Sequence, residues 1–135
     1  MKFQVVINRK TEKIICTEMY NGKAHDGTIF KKTTAVNPSV LVLGDSGYRG
    51  IQKVHANTLL PIRHKEDIAK LSEEEKAIRK VRNKMISSIR MKIEHIIGRI
   101  KRFKIIAEKY RNRLKRLLLR FNLICGIVNF EICFI

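Results

Sequence analysis

The chain has 135 residues, 44% of them hydrophobic, so residues 1–135 read as a single domain with enough apolar material for a core, which excludes a largely disordered protein. Its 29 Lys and Arg against 12 Asp and Glu give a formal charge of +17, a field suited to nucleic acid, with an anionic membrane surface or an acidic protein as the alternatives. Cys16, Cys125 and Cys133 sit far apart in apolar runs without a C-x-x-C pair and read as buried reduced thiols of a cytoplasmic protein, and the opening MKFQVVINRK lacks the apolar core of a signal peptide.

Residues 3–7 and 13–19 are rich in Val, Ile and Thr and predict a β-hairpin turning through Asn8, Arg9, Lys10 and Thr11. Asn21-Gly22 is a turn signal, residues 28–33 start a short helix, and Asn37-Pro38 breaks the chain again. Val40, Leu41, Val42 and Leu43 form a continuous apolar run suited to a strand buried on both faces, ending in GDSGYRG. Residues 51–57 are compatible with a short helix and residues 59–62 with a brief strand that Pro61 confines to an edge. Residues 64–71 read as a charged, mobile connector. Ser72 then caps a helix, with Glu75 at the capping-box position, and a helical period runs to about Phe103 with one break near Asn83. After a junction at residues 105–110, Leu114, Leu117, Leu118, Phe121 and Ile124 mark a second amphipathic helix that continues through Val128. The apolar C-terminal run is short and interrupted by Asn129 and Glu131, which argues against a membrane span.

Chemistry concentrates at two carboxylates. On a helix at about 100° per residue, Ile86, Ile89, Ile93, Ile97 and Ile100 share one apolar arc, with Ser87, Arg90, Glu94 and Lys101 grouped beside it and Lys84, Lys92, Arg99 and Arg102 further round. Glu94 is the only acid between Glu75 and Glu108. It reads either as a metal ligand between a packed and a cationic face or as the i,i+4 partner of Arg90. Asp45 follows a buried strand, the usual place for a functional group in an open α/β sheet, or else it simply caps the next turn. Joined, two such acids in a basic domain suit two-metal phosphoryl transfer on DNA with Mg²⁺ or Mn²⁺. A third carboxylate is then wanted, and Asp26 has the right type but no strand end to place it. The four histidines show no zinc spacing, and no phosphate-binding glycine loop or G-x-S-x-G elbow is present.

LVLGDSGYRGIQK, LPIR, the helix R-x-x-x-E-H-I-I-G-R-I-K-R-F and YRNRLKRLLLRFNLICGIVNFE together resemble the DDE transposases of bacterial insertion sequences, closest to insertion-sequence family five, over residues 14–131. The resemblance implies that Asp45 is the second metal-binding aspartate and Glu94 the third acid. Arg90, Glu94 and Lys101 match the Tyr, Arg, Glu and Lys signature of the glutamate helix, with Ser87 in place of the tyrosine. Arg90, Arg99, Lys101 and Arg102 become candidates for holding DNA. His25-Asp26 resembles a His-Asp pair of the family, for which no metal role is carried over.

The implied fold is an α/β, ribonuclease H-like one, a mixed sheet with C-terminal helices, but incomplete. The family's first aspartate lies on a central strand before the hairpin, and that strand is missing here, as is the N-terminal DNA-binding region. The expected protein is therefore the C-terminal part of a transposase, a remnant or the downstream frame of a split gene, bound to DNA at the nucleoid and inactive alone. Its partners would be transposon ends and an upstream fragment or a second copy, with no membrane. The competing expectation is a non-catalytic basic nucleic-acid-binding protein or transposition regulator, distinguished by indifference to divalent metal.

Overall fold

The alternation of Phe, Val and Ile at the start of the chain does form a hairpin. The computed structural model describes residues 1–33, 36–107 and 116–134. In chain order the elements are β1 (Lys2–Ile7), β2 (Ile14–Tyr20), α1 (Asp26–Thr33), β3 (Val42–Leu43), β4 (Thr58–Leu59), α2 (Lys65–Ala69), α3 (Glu73–Lys101), α4 (Lys104–Ala107) and α5 (Leu117–Ile132), with 3₁₀ turns at Ser46–Tyr48 and Ile51–Lys53. They divide between two compact units, Met1–Gly22 with Arg90–Ile135, and Lys23–Ile89. This is a mixed α/β protein with small sheets and C-terminal helices.

In the first unit β1 and β2 pair antiparallel, from Lys2 opposite Tyr20 to Ile7 opposite Ile14, with a register shift after Val6. The hairpin loop is an Asx turn: Asn8 Oδ1 accepts from the amides of Lys10 and Thr11 at 2.9 and 3.1 Å. Phe3, Val5 and Ile7, two apart and so on one face of β1, pack against Ile14, Ile96, Ile100, Phe121, Ile124, Cys125 and Val128. The rings of Phe3 and Phe121 lie 4.3 Å apart. Asn129 of α5 reaches the hairpin as a strand would, accepting from the Ile14 amide at 2.8 Å and donating to the Ile14 carbonyl at 2.9 Å. The apolar arc predicted on α3 is shifted slightly: Ile96 and Ile100 are buried here, while Ile93 and Ile97 are half-buried.

In the second unit β3 and β4 form a two-stranded parallel pair. Phe30, Ile51 and Leu60 make a small core, with Val36, Val42 and Tyr48 packed against it. Polar side chains do the rest. Asn83 accepts from the Ile62 amide at 3.1 Å and donates to its carbonyl at 3.0 Å. Arg82 donates to the Leu60 carbonyl at 2.8 Å and Arg79 to that of Ile62 at 3.1 Å. Buried His55 donates through Nε2 to the Val40 carbonyl at 2.7 Å.

Several expectations need correction. The strand predicted over Val40 to Leu43 shortens to Val42–Leu43, and Val40 and Leu41 are exposed, because the Asn37 turn takes the Val40 amide. Residues 51–57 form only a 3₁₀ turn, and residues 60–62 leave the strand to be clamped by α3. The connector at residues 64–71 contains α2. α3 runs unbroken through Asn83, whose amide is turned to Ile62 rather than to its own helix. Its start agrees with the expected capping box: Glu75 N donates to Ser72 Oγ at 3.2 Å and Ser72 N to Glu75 Oε2 at 2.7 Å. Along α5, Leu117, Phe121, Ile124, Cys125 and Val128 are buried, but Leu119, Leu123 and Phe130 are exposed, so this helix is apolar on both sides rather than amphipathic. Cys125 is a buried free thiol, whereas Cys133 is exposed. The expectations for the Cys16 thiol and for residues 108–115, Leu114 included, lie outside the described residues.

Candidate functional site

The GDSGYRG segment leaves β3 at Gly44. A Cβ there would lie 2.8 Å from Leu60 Cδ2, so any other residue would have to displace the buried Leu60 side chain. Asp45 then caps the 3₁₀ turn Ser46–Tyr48, its Oδ1 accepting from Ser46 N at 2.7 Å and Ser46 Oγ at 3.3 Å. Of the two readings of Asp45, the capping one is thus visible, and it places the carboxylate just beyond the carboxyl end of a strand. Gly50 completes the turn with φ at 90°, a left-handed conformation that favours glycine.

Asp26 reaches the same corner from α1. A Cβ at Gly47 would lie 3.7 Å from Asp26 Oδ2, and one at Gly27 would lie 3.6 Å from the carbonyls of Gly47 and Arg49. Burial, then the charges of Asp26 and Asp45, push the Tyr48 phenol up to about 12. Two carboxylates therefore act on one phenol, which keeps its proton. Sequence reasoning set Asp26 aside because it had no strand to locate it. The paired small residues Gly27 and Gly47, which let helix and turn approach, are visible only as a spatial match. His25 takes a local role, its Nδ1 accepting from Gly27 N at 3.3 Å.

Glu94 belongs to the other unit. Its side chain is 60% exposed and pairs with Arg90 Nε at 3.1 Å, one helical turn away, so the bland reading of Glu94 describes its present contact. Ser87 and Lys101 are exposed. Arg102 donates to the Glu131 carboxylate, and Arg99, Arg102, Phe130, Glu131 and Phe134 line an open hollow of about 580 Å³. Among the described residues, no three His, Cys, Asp or Glu side chains gather closely enough to hold a metal ion. No helix among them is long and apolar enough to cross a membrane.

The candidate residues are thus an acid beyond a strand end, framed by glycines in a turn, and a glutamate on a basic helix. The chain belongs to the DDE superfamily endonuclease family, whose pattern it matches over residues 1–129. It is 41% identical over 134 residues to the "Probable transposase for insertion sequence element IS702" of Microchaete diplosiphon, a match that covers 98% of this chain and 46% of that protein. The chain thus spans about half the length of that curated relative. No solved structure matches it.

Proposed function

We propose that these residues are the C-terminal part of a ribonuclease H-like transposase catalytic domain that cleaves and joins DNA at the ends of an insertion sequence. The observation that carries the reading is the Asp45 carboxylate beyond β3, with Asp26 beside it, in a chain of the DDE superfamily endonuclease family. Asp45 and Glu94 are the carboxylates this chain brings to Mg²⁺ or Mn²⁺. The donor set suits such an ion by chemistry, since the acids are hard oxygen ligands, and Asp26 and Asp45 both act on Tyr48, adding to the effect of its burial. Bound to Asp45 and Glu94, such ions would supply activation of the attacking water or 3′-hydroxyl and stabilisation of the leaving oxygen.

The residues of the chain do the positioning. Glu94 can leave Arg90 at little cost, because an exposed i,i+4 pair contributes little. Arg90, Arg99, Lys101 and Arg102 hold the DNA backbone, so affinity falls as salt rises. Alone, the 135 residues bind DNA at the nucleoid but do not transfer strands. The second reading, a DNA-binding protein without catalysis, takes the Glu94–Arg90 pair as the whole role of Glu94.

Mn²⁺ titration followed by electron paramagnetic resonance separates the two. Binding weakened by Asp45→Asn and by Glu94→Gln supports the transposase reading, and binding indifferent to both favours the second. End cleavage by the isolated chain, abolished in Glu94→Gln, would show that it is active alone.

A further inference from the structure

We propose that a cleft in the Lys23–Ile89 unit receives one backbone phosphate of duplex DNA, held by Arg49, Lys70 and Arg82. The cleft measures about 400 Å³ and is walled by the turn that follows Asp45, by the segment after β4, by α2 with the residue that ends it, and by α3. Ser46, next to Asp45 in the chain, lines it. Three permanent cations, Arg49, Lys70 and Arg82, face a single acid, Asp67.

Their hydrogen-bonding state points to an anion. The Arg82 guanidinium spends one Nη on the Leu60 carbonyl, while its buried Nε–H has no acceptor among the described residues. A charged donor left without an acceptor is costly, and a phosphate oxygen is the partner its planar fork suits best. Arg49 is held by Asp67, Nη2 lying 3.1 Å from Oδ1 and 3.0 Å from Oδ2, with the arginine 57% exposed. So exposed a pair is weak, and Arg49 can exchange Asp67 for a phosphate. Lys70 is exposed and supplies a third cation to the lining. Asp67 is then a competitor for the site, which sets this cleft apart from a plain basic surface.

The inference rests on the DNA-binding reading above, and the experiment separates the two. Affinity of the full chain for a short duplex is measured by fluorescence anisotropy across a range of salt. Arg49→Gln/Lys70→Gln is expected to bind about tenfold more weakly, with the slope of log affinity against log salt reduced by about one. Asp67→Asn, which frees Arg49, is expected to bind about threefold more tightly, an effect that loss of a structural ion pair would not produce. Lys53→Gln/Lys80→Gln, outside the cleft, serves as the charge control, and thermal melts confirm that each variant folds.

Equal losses in the cleft and control pairs, or no loss in the cleft pair, overturn the proposal while leaving DNA binding intact. A wild-type chain that does not bind duplex at all overturns both. Tight binding of inorganic phosphate in the cleft, seen by ³¹P NMR and sensitive to Lys70→Gln while duplex affinity is not, assigns the site to free phosphate and overturns the DNA assignment.

Discussion

The two units hold themselves together differently. In the hairpin unit, seven buried residues contributed by β2, α3 and α5 form one apolar cluster, with β1 packed on it. In the Lys23–Ile89 unit the buried cluster has three members, and side chains of α3 grip a loop by its backbone. Yet both rely on the same device at one point. Asn129 and Asn83 each supply a donor and an acceptor to a single residue of an extended segment, Ile14 and Ile62. A helix side chain thereby satisfies both backbone groups of a residue outside the helix, at the start of a strand for Ile14 and just after one for Ile62. The difference teaches how a small core can be supplemented: the unit with the smaller buried cluster, held by polar side chains, is also the one that carries the glycine-framed turn and the cationic cleft.

The largest effect should come from the apolar unit. Phe121→Ala, at a side chain 1% exposed, should cost about 3–5 kcal/mol in urea unfolding. Amide protection should be lost across β1 and β2 before it is lost at β3 and β4, and a uniform loss would break the contrast. Next, Asn83→Leu and Asn129→Leu should each cost about 1–3 kcal/mol, by leaving the backbone groups of Ile62 or Ile14 unpaired. Hydrogen exchange should speed up at the Ile62 amide in the first variant and at the Ile14 amide in the second. Faster exchange elsewhere, with these amides unchanged, would refute the shared device.

Ser72→Ala should cost about 1 kcal/mol and fray the start of α3, read as a lower helix signal and faster exchange at the Glu75 amide. The smallest effect concerns Cys125, whose thiol burial pushes up to about 11 from 9.0. A raised thiol value stabilises the fold fully below about pH 9, and that contribution is lost as pH rises through 11. Near neutral pH, therefore, only reactivity should show it: alkylation mapped by mass spectrometry should label exposed Cys133 well before Cys125.

Much of this was readable from local pattern. The hairpin follows from alternation, the start of α3 from Ser72 and Glu75, and the turn after β3 from its glycines and Asp45, because each signal acts over a few residues. Basic charge and the family resemblance are likewise properties of the chain as written. Asn83 and Asn129, by contrast, looked like interruptions, and Asp26 like a loop residue. Their roles depend on partners 21 residues away for Asn83 and 115 residues away for Asn129, and for Asp26 on the approach of α1 to a distant turn. A side-chain amide satisfies a distant backbone only if packing delivers that backbone to it, and no periodicity along the chain encodes such a meeting. The same holds for the cleft: its cations are evident in the sequence, but only the fold gathers Arg49, Lys70 and Arg82 around one space and sets Asp67 against them.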